Sequence, residues 1–189
     1  MPLLSSRKRK LRALFDHLDE EGFYAIPGST KQLAWKQLVR HGDLYSDETG
    51  RAFLVDAETV FESGIASSVA EASSIFERLG LPSLTVHEGR DSSGSYVASV
   101  NQHSAFLYPD TTEPDQLWAP STLRFLTLLE KVLIGAGAAE RIYHDIVGND
   151  TVVVVMPERT ERIIKKSDAA SAGLVRILKR PRLQDIEIS

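Results

Sequence analysis

A long and heavily apolar helical pattern sets the strongest limit on how this chain can fold. Apolar residues recur from Leu123 to Ile134 around most of a helix, after a start signal at Pro120 and Ser121. Arg124, Glu130 and Lys131 interrupt the pattern, so it is not the clean run of roughly 20 apolar residues that a membrane span requires. We therefore predict a central core helix that other elements must cover.

The first half of the chain is dominated by helical patterns. Apolar residues at three- and four-residue intervals predict a helix over residues 6–21, a second ending near His41 and Gly42, and a longer one from Ile65 to Leu79. Ala52 to Val55 and Phe23 to Ile26 have the composition of short strands.

The second half has the patterns of strands and turns. Strand-like segments surround Val86, Val97 and Leu107 and are separated by turn residues, which predicts an antiparallel meander. Residues 141–147 and 151–156 flank the turn residues of 148–150 and predict a hairpin. We predict an α+β fold with a mostly antiparallel sheet, on which N-terminal helices and the central apolar helix pack.

The length of 189 residues fits one domain or at most two small ones, and neither half shows a complete core pattern of its own. We therefore expect a single α+β domain over residues 1–168. Residues 169–189 are expected to form a C-terminal tail, and the sequence leaves open whether that tail is ordered.

Charge is distributed unevenly along the chain. Residues 1–12 hold five cations and no acid, residues 13–157 hold nine cations and 21 acids, and residues 158–189 hold eight cations and five acids. An acidic body with basic ends is a poor match to a dedicated nucleic-acid-binding domain, whose basic face crosses the folded surface.

The basic N-terminus has two interpretations. Five cations lie at the start of a predicted helix, where they oppose the helix dipole: Arg7, Lys8, Arg9, Lys10 and Arg12. They form either a solvated helix end or a basic arm that contacts a polyanion. The second interpretation, with the basic C-terminal segment, is one hypothesis for function.

Two acidic loops give the first hypothesis for function. One loop carries Asp43, Asp47 and Glu48, and the other carries Asp110, Glu113 and Asp115 and is followed by Trp118. Clustered acids steer a basic partner, and a tryptophan beside them can anchor it. We expect a non-enzymatic module that binds another protein through these seven residues, as an inhibitor or an immunity-type partner of a basic toxin or nuclease does.

A glycine turn supports an alternative function, that of a nucleotide-binding protein or an enzyme. The segment from Gly135 to Gly137, with Glu158 about 20 positions later, resembles the glycine-rich turn and ribose-binding acid of a dinucleotide-binding unit. The third glycine of that fingerprint is replaced by Glu140, and the residues before Gly135 belong to a helix pattern rather than to a strand. A helix end followed by a turn is the competing interpretation.

Other site classes have little support. The chain has no cysteine, and its five histidines show no metal-ligand spacing, so we expect no metal and no cofactor and assign no catalytic residue. The absence of cysteine, of an export signal and of a membrane span leads us to expect a cytoplasmic protein. The sequence leaves the oligomeric state open.

Overall fold

The computed structural model describes residues 5–110 and 117–181. Within them the chain forms two compact units. Unit 1 holds the described residues up to Ala52 and those from Met156 to Leu178, and unit 2 holds those from Phe53 to Val155 together with Lys179 and the described residues after it. The expectation of a single domain over residues 1–168 stays a prediction.

The elements follow the predicted order closely. The helices are α1 (Ser6–Glu20), α2 (Lys31–His41), α3 (Ala57–Ser63), α4 (Ala66–Arg78), α5 (Trp118–Gly135), α6 (Glu158–Lys166) and α7 (Asp168–Ser171). The strands are β1 (Ala52–Asp56), β2 (Val86–Arg90), β3 (Tyr96–Val100), β4 (His103–Tyr108), β5 (Glu140–Val147) and β6 (Asp150–Pro157). These elements confirm the predicted α+β fold with antiparallel sheet.

In unit 1, α1 packs against α2, α6 and α7. Its apolar stripe is buried, because Leu11, Leu14, Phe15 and Leu18 recur at helical spacing on the face turned to these neighbours. The helix begins where the Ser5 side chain accepts a hydrogen bond from the backbone N–H of Lys8 at 3.4 Å.

The strand predicted at Phe23 to Ile26 is wrong, because this segment forms the turn that ends α1. The N–H of Phe23 donates to the carbonyl of Leu18 at 2.9 Å, and the N–H of Gly22 donates to Asp19 at 3.0 Å. Gly22 has φ +78°, which completes a Schellman motif. Phe23 and Tyr24 are buried by stacking rather than by strand pairing, with the Tyr24 ring centroid 4.4 Å from that of Phe15.

Unit 2 contains both sheets except for the strand ends Ala52, Met156 and Pro157, which belong to unit 1. Strands β2, β3 and β4 form the predicted antiparallel meander, with a register shift at Tyr96 and Val97. The other sheet has the order β1-β6-β5, in which β5 and β6 form the predicted hairpin. Helix α5 packs against β4 and β5 and, as predicted, provides much of the core: Phe125, Leu126, Leu128, Leu129 and Leu133 are fully buried.

The described part of the C-terminal segment is packed. In unit 1, Ala169, Val175 and Leu178 are buried, and the Tyr45 hydroxyl donates to the carbonyl of Arg176 at 3.0 Å. In unit 2, the backbones of Lys179 and His144 exchange two hydrogen bonds of 2.8 and 2.9 Å. Among the described residues, no helix is both long enough and apolar enough to cross a membrane.

Candidate functional site: a basic cleft in unit 1

One face of α1 lines a cleft in unit 1. The cleft is lined at positions three to four residues apart, which lie on the same side of the helix: Lys10, the neighbours Ala13 and Leu14, His17 and Glu21. Arg9, beside Lys10, also lines the cleft. This side of α1 therefore presents cations around a short apolar strip.

The facing wall of the cleft comes from α6. Arg159, Arg162, Ile163 and Lys166 repeat the same three- and four-residue spacing, and Ser167 and Asp168 follow them at the start of α7. Together with the α1 residues they enclose a cavity of about 770 Å³, which we call the basic cleft. This volume is within the range of small-molecule sites.

The lining of the basic cleft is strongly positive. Five side chains carry a permanent positive charge (Arg9, Lys10, Arg159, Arg162 and Lys166), and two carry a carboxylate (Glu21 and Asp168). Ala13, Leu14 and Ile163 contribute an apolar floor. Guanidinium groups present several N–H donors in a plane, which matches the oxygens of phosphate and carboxylate groups.

One ion pair defines one end of the cleft. The Arg159 Nε lies 3.6 Å from the Glu21 carboxylate, and the Arg159 guanidinium also donates to the Glu21 carbonyl at 3.5 Å. These contacts place the start of α6 beside the end of α1. Asp168 follows the last turn of α6, so the two lining carboxylates are separated along that helix.

The Ser167 hydroxyl in the lining already forms hydrogen bonds within the protein. The Ser167 hydroxyl donates to the Ile164 carbonyl at 2.7 Å and accepts from the Ala170 N–H at 3.1 Å, which joins α6 to α7. Ser167 therefore shapes the cleft wall, and the cations are the side chains that can meet a ligand.

Not every cation of the basic N-terminus belongs to the cleft. Arg12 pairs with Asp16 at 2.8 Å, and its guanidinium lies 5.2 Å from the ring centroid of Trp35. The hydrogen bond that Arg12 donates to the Asp16 carboxylate raises the pKa of Arg12. Arg7 and Lys8 lie outside the cleft lining, so only Arg9 and Lys10 bring the N-terminal charge into it.

The two helices differ in how their charges suit the helix dipole. Helix α6 has Glu158 and Glu161 in its first turn and Lys165 and Lys166 in its last, the arrangement that stabilises a helix. Helix α1 has no acid in its first turn and begins with cations. The cations at the start of α1 thus destabilise this helix through the helix dipole. Locally destabilising residues of this kind are found most often at functional sites.

The first predicted acidic loop lies in unit 1. Asp43 and Asp47 are exposed, and Asp43 accepts a hydrogen bond from the backbone N–H of Tyr45 at 2.9 Å. Glu48 is half-buried, and hydrogen bonds from its own backbone and from Ser46 lower the pKa of its carboxyl. The three acids share one loop, as predicted, around the short 3-10 turn Asp47–Thr49.

The second predicted acidic segment lies in unit 2 and is described only in part. Asp110 is exposed and pairs with Arg90 at 3.2 Å, so part of its charge is compensated. Trp118 is the first residue of α5 and is half-buried. Glu113 and Asp115 lie outside the described residues. The structure therefore places the five described residues of this set in different units, with Asp43, Asp47 and Glu48 in unit 1 and Asp110 and Trp118 in unit 2.

The glycine turn does not have the order of elements that a dinucleotide-binding unit needs. Gly135 is the last residue of α5, Gly137 has φ +67°, and β5 begins at Glu140. A helix precedes this turn and a strand follows it, whereas a pyrophosphate site needs a strand before the glycines and a helix after them. Helix end and turn, the competing interpretation, is confirmed.

The sequence did not lead us to predict a site at four of the lining residues: Arg159, Arg162, Lys166 and His17. Their signal was present, because Arg159, Arg162 and Lys166 recur at intervals of three and four residues, as Lys10, Ala13, His17 and Glu21 do. What the spacing alone does not show is that the two faces meet. Among the described residues, no group of three or more His, Asp or Glu side chains is placed to hold a metal ion.

Comparison with known proteins adds no relative. No protein family, curated protein or solved structure matches this chain.

Proposed function

We propose that this chain is a binding protein whose basic cleft holds a polyanion. One observation carries the proposal: helices from opposite ends of the sequence each present a basic face at helical spacing to the same cavity. Five permanent cations against two carboxylates give the lining a formal charge of +3 with His17 neutral.

The energetics of the free protein support the proposal. Cations at the start of α1 oppose the helix dipole, and the cations of α6 line the same cleft, so like charges repel one another around this cavity. A bound anion relieves both effects. Charge-assisted hydrogen bonds from guanidinium and ammonium groups contribute about 1.5–3 kcal/mol each.

The test is calorimetric titration of the protein with inorganic tripolyphosphate. We expect one binding site whose affinity falls as salt rises, because binding releases counterions. The double variant Lys10→Glu with Arg162→Glu should bind on the order of 100-fold more weakly, from the loss of two charge-assisted bonds.

A matched control changes the net charge by the same amount outside the cleft. Lys8 lies on α1 but not in the lining, and Lys36 is exposed on α2. The double variant Lys8→Glu with Lys36→Glu should retain affinity within about threefold, since neither side chain lines the cleft. Equal losses in the two double variants, or no binding to the wild-type protein, would contradict the proposal.

A second candidate function remains a proposal from the acidic loop. Asp43 and Asp47 are exposed on one loop with Glu48, which favours a basic protein as the partner, in an inhibitor or immunity-type role. Capture of one stoichiometric basic protein from the native host, lost on changing Asp43, Asp47 and Glu48 to lysine, would support it. Asp110 and Trp118 belong to unit 2 and need a separate variant.

Cytoplasmic location is part of the proposal. The chain has no cysteine and therefore no disulfide, which is compatible with a reducing compartment such as the cytoplasm.

A further inference from the structure

The shape and lining of the basic cleft narrow the class of anion that it accepts. We infer that the ligand is a compact organic molecule with at least two phosphate groups, rather than a nucleic acid strand. This inference rests on the proposed function.

The cations converge over a short distance. Arg159 and Lys166 are seven residues apart on α6, which corresponds to about 10 Å of helix, and Arg162 lies between them. Arg9 and Lys10 are neighbours on α1. A cluster of this size concentrates charge on one small anion, whereas a nucleic acid site spreads its cations along a face.

Carboxylates flank the cluster of cations. Glu21 lies beside Arg159 at the start of α6, and Asp168 follows Lys166 at the end of it. A linear polyanion that extended past either position would carry phosphates against a carboxylate, which is repulsive. A compact ligand ends before it reaches them, and its hydroxyl groups can donate to these carboxylates.

The described lining contains no phenylalanine, tyrosine or tryptophan, and the imidazole of His17 is its only ring. Proteins that hold single-stranded nucleic acid stack bases on aromatic rings, a contact worth about 1–3 kcal/mol per base. The floor of the basic cleft is aliphatic instead, from Ala13, Leu14 and Ile163. Such a floor suits the body of a small organic molecule whose phosphates reach the cations.

The test compares phosphate-bearing probes that differ in size and shape. Adenosine triphosphate and inositol hexakisphosphate represent compact organic phosphates, and a twelve-nucleotide oligothymidylate represents a strand. We expect both compact probes to bind at 1:1 stoichiometry and at least tenfold more tightly than the strand. Lys10→Glu with Arg162→Glu should weaken the binding of both compact probes on the order of 100-fold, and Lys8→Glu with Lys36→Glu should leave it within about threefold.

The apolar floor has its own test. Ile163→Ser should lower the affinity for adenosine triphosphate at least threefold, because this organic probe contacts the apolar floor. The affinity for inorganic tripolyphosphate, which does not contact the floor, should stay within twofold. Equal binding of inorganic tripolyphosphate and both organic probes to the wild-type protein would contradict the organic part of the inference.

Clustered phosphates also occur on lipid headgroups, so one arm of the experiment uses vesicles that contain phosphatidylinositol bisphosphate. Binding to these vesicles and to free inositol trisphosphate with similar affinity supports the inference and identifies the headgroup as a source. Tighter binding of the oligonucleotide, increasing with its length, would overturn the inference and leave the proposed function standing. Absence of binding to every probe would overturn both.

Discussion

The carboxylate of Glu130 in α5 accepts a hydrogen bond from the backbone N–H of Ile142 at the start of β5, at 2.7 Å. Its other oxygen forms an ion pair with Arg180. Glu130 is only 6% exposed, so both contacts lie in a setting where an unsatisfied group is costly. Within unit 2, Glu130 of the core helix α5 thus connects the sheet of β1, β6 and β5 with the C-terminal segment.

The first prediction concerns this residue. Glu130→Ala removes the acceptor of the Ile142 N–H and the ion pair with Arg180, and we expect the free energy of unfolding to fall by about 2–4 kcal/mol. Glu130→Gln keeps an acceptor oxygen, so its cost should be about 1 kcal/mol. Urea denaturation at one temperature measures both. Equal effects would mean that the hydrogen bond to Ile142 contributes nothing.

The second prediction compares two glycines with positive φ. Gly64 has φ +83°, and a Cβ there would lie 2.1 Å from the Tyr96 hydroxyl and 2.8 Å from both oxygens of Glu88. Gly137 has φ +67° and nothing within 4 Å of such a Cβ. Gly137→Ala should cost about 1 kcal/mol from backbone strain alone, and Gly64→Ala about 3 kcal/mol or more from strain and steric overlap.

A double variant separates the two causes at Gly64. Adding Tyr96→Phe removes the hydroxyl that the new Cβ would meet, so part of the loss in Gly64→Ala should be recovered. The measurement is a double-mutant cycle in urea. If Gly64→Ala costs no more than Gly137→Ala, the close approach of Tyr96 and Glu88 is not a feature of the folded protein.

The third prediction concerns the start of α1. Ser5 caps this helix, and Lys8 occupies the position where a glutamate would complete a capping box. Lys8→Glu should raise the free energy of unfolding by about 0.5–1 kcal/mol, through the reciprocal hydrogen bond and the better match to the helix dipole. Thermal unfolding measures the gain. Lys8→Gln retains the hydrogen bond without the charge and should give a smaller gain, and a loss in both variants would contradict the assignment of Ser5 as the cap.

The fourth prediction is a dependence of stability on alkaline pH. Burial raises the pKa of the Tyr24 hydroxyl above its ordinary value, and Asp19 adds to the effect. Below about pH 10 the hydroxyl is protonated in both the folded and the unfolded chain. Above that pH the unfolded chain ionises while the folded protein keeps the proton, so stability is lost as pH rises.

Tyr24→Phe keeps the ring that stacks on Phe15 and removes the group that titrates. Between about pH 9 and 11 the free energy of unfolding should fall less steeply in this variant than in the wild-type protein, by up to about 1.4 kcal/mol per pH unit. The measurement is a set of urea transitions across this range. Parallel curves for the two proteins would show that Tyr24 ionises as easily when folded.

Much of the fold could be predicted because its signals are local. The apolar stripe of α1, the glycine that ends α2 at Gly42 and the start of α5 near Pro120 all lie within a few residues of the element that they define. The failure at Phe23 to Ile26 has a tertiary cause. Aromatic residues suit strands by composition, but here Tyr24 is buried by stacking on Phe15.

Only part of the candidate site could be predicted from the sequence. The basic character of both ends and the spacing of their cations follow from the order of residues, as do the acidic loop at Asp43 and the turn at Gly137. Helical periodicity shows which residues share a face, because that depends on neighbours three and four positions away.

The tertiary structure alone decided that the two basic faces form one cleft. Glu21 and Arg159, which join α1 to α6, are 138 positions apart. Which helices pack together depends on how buried side chains fit across the whole of unit 1, and no local pattern records that fit. The sequence therefore determined the charge of each helix face, and packing determined that the two faces line one cleft.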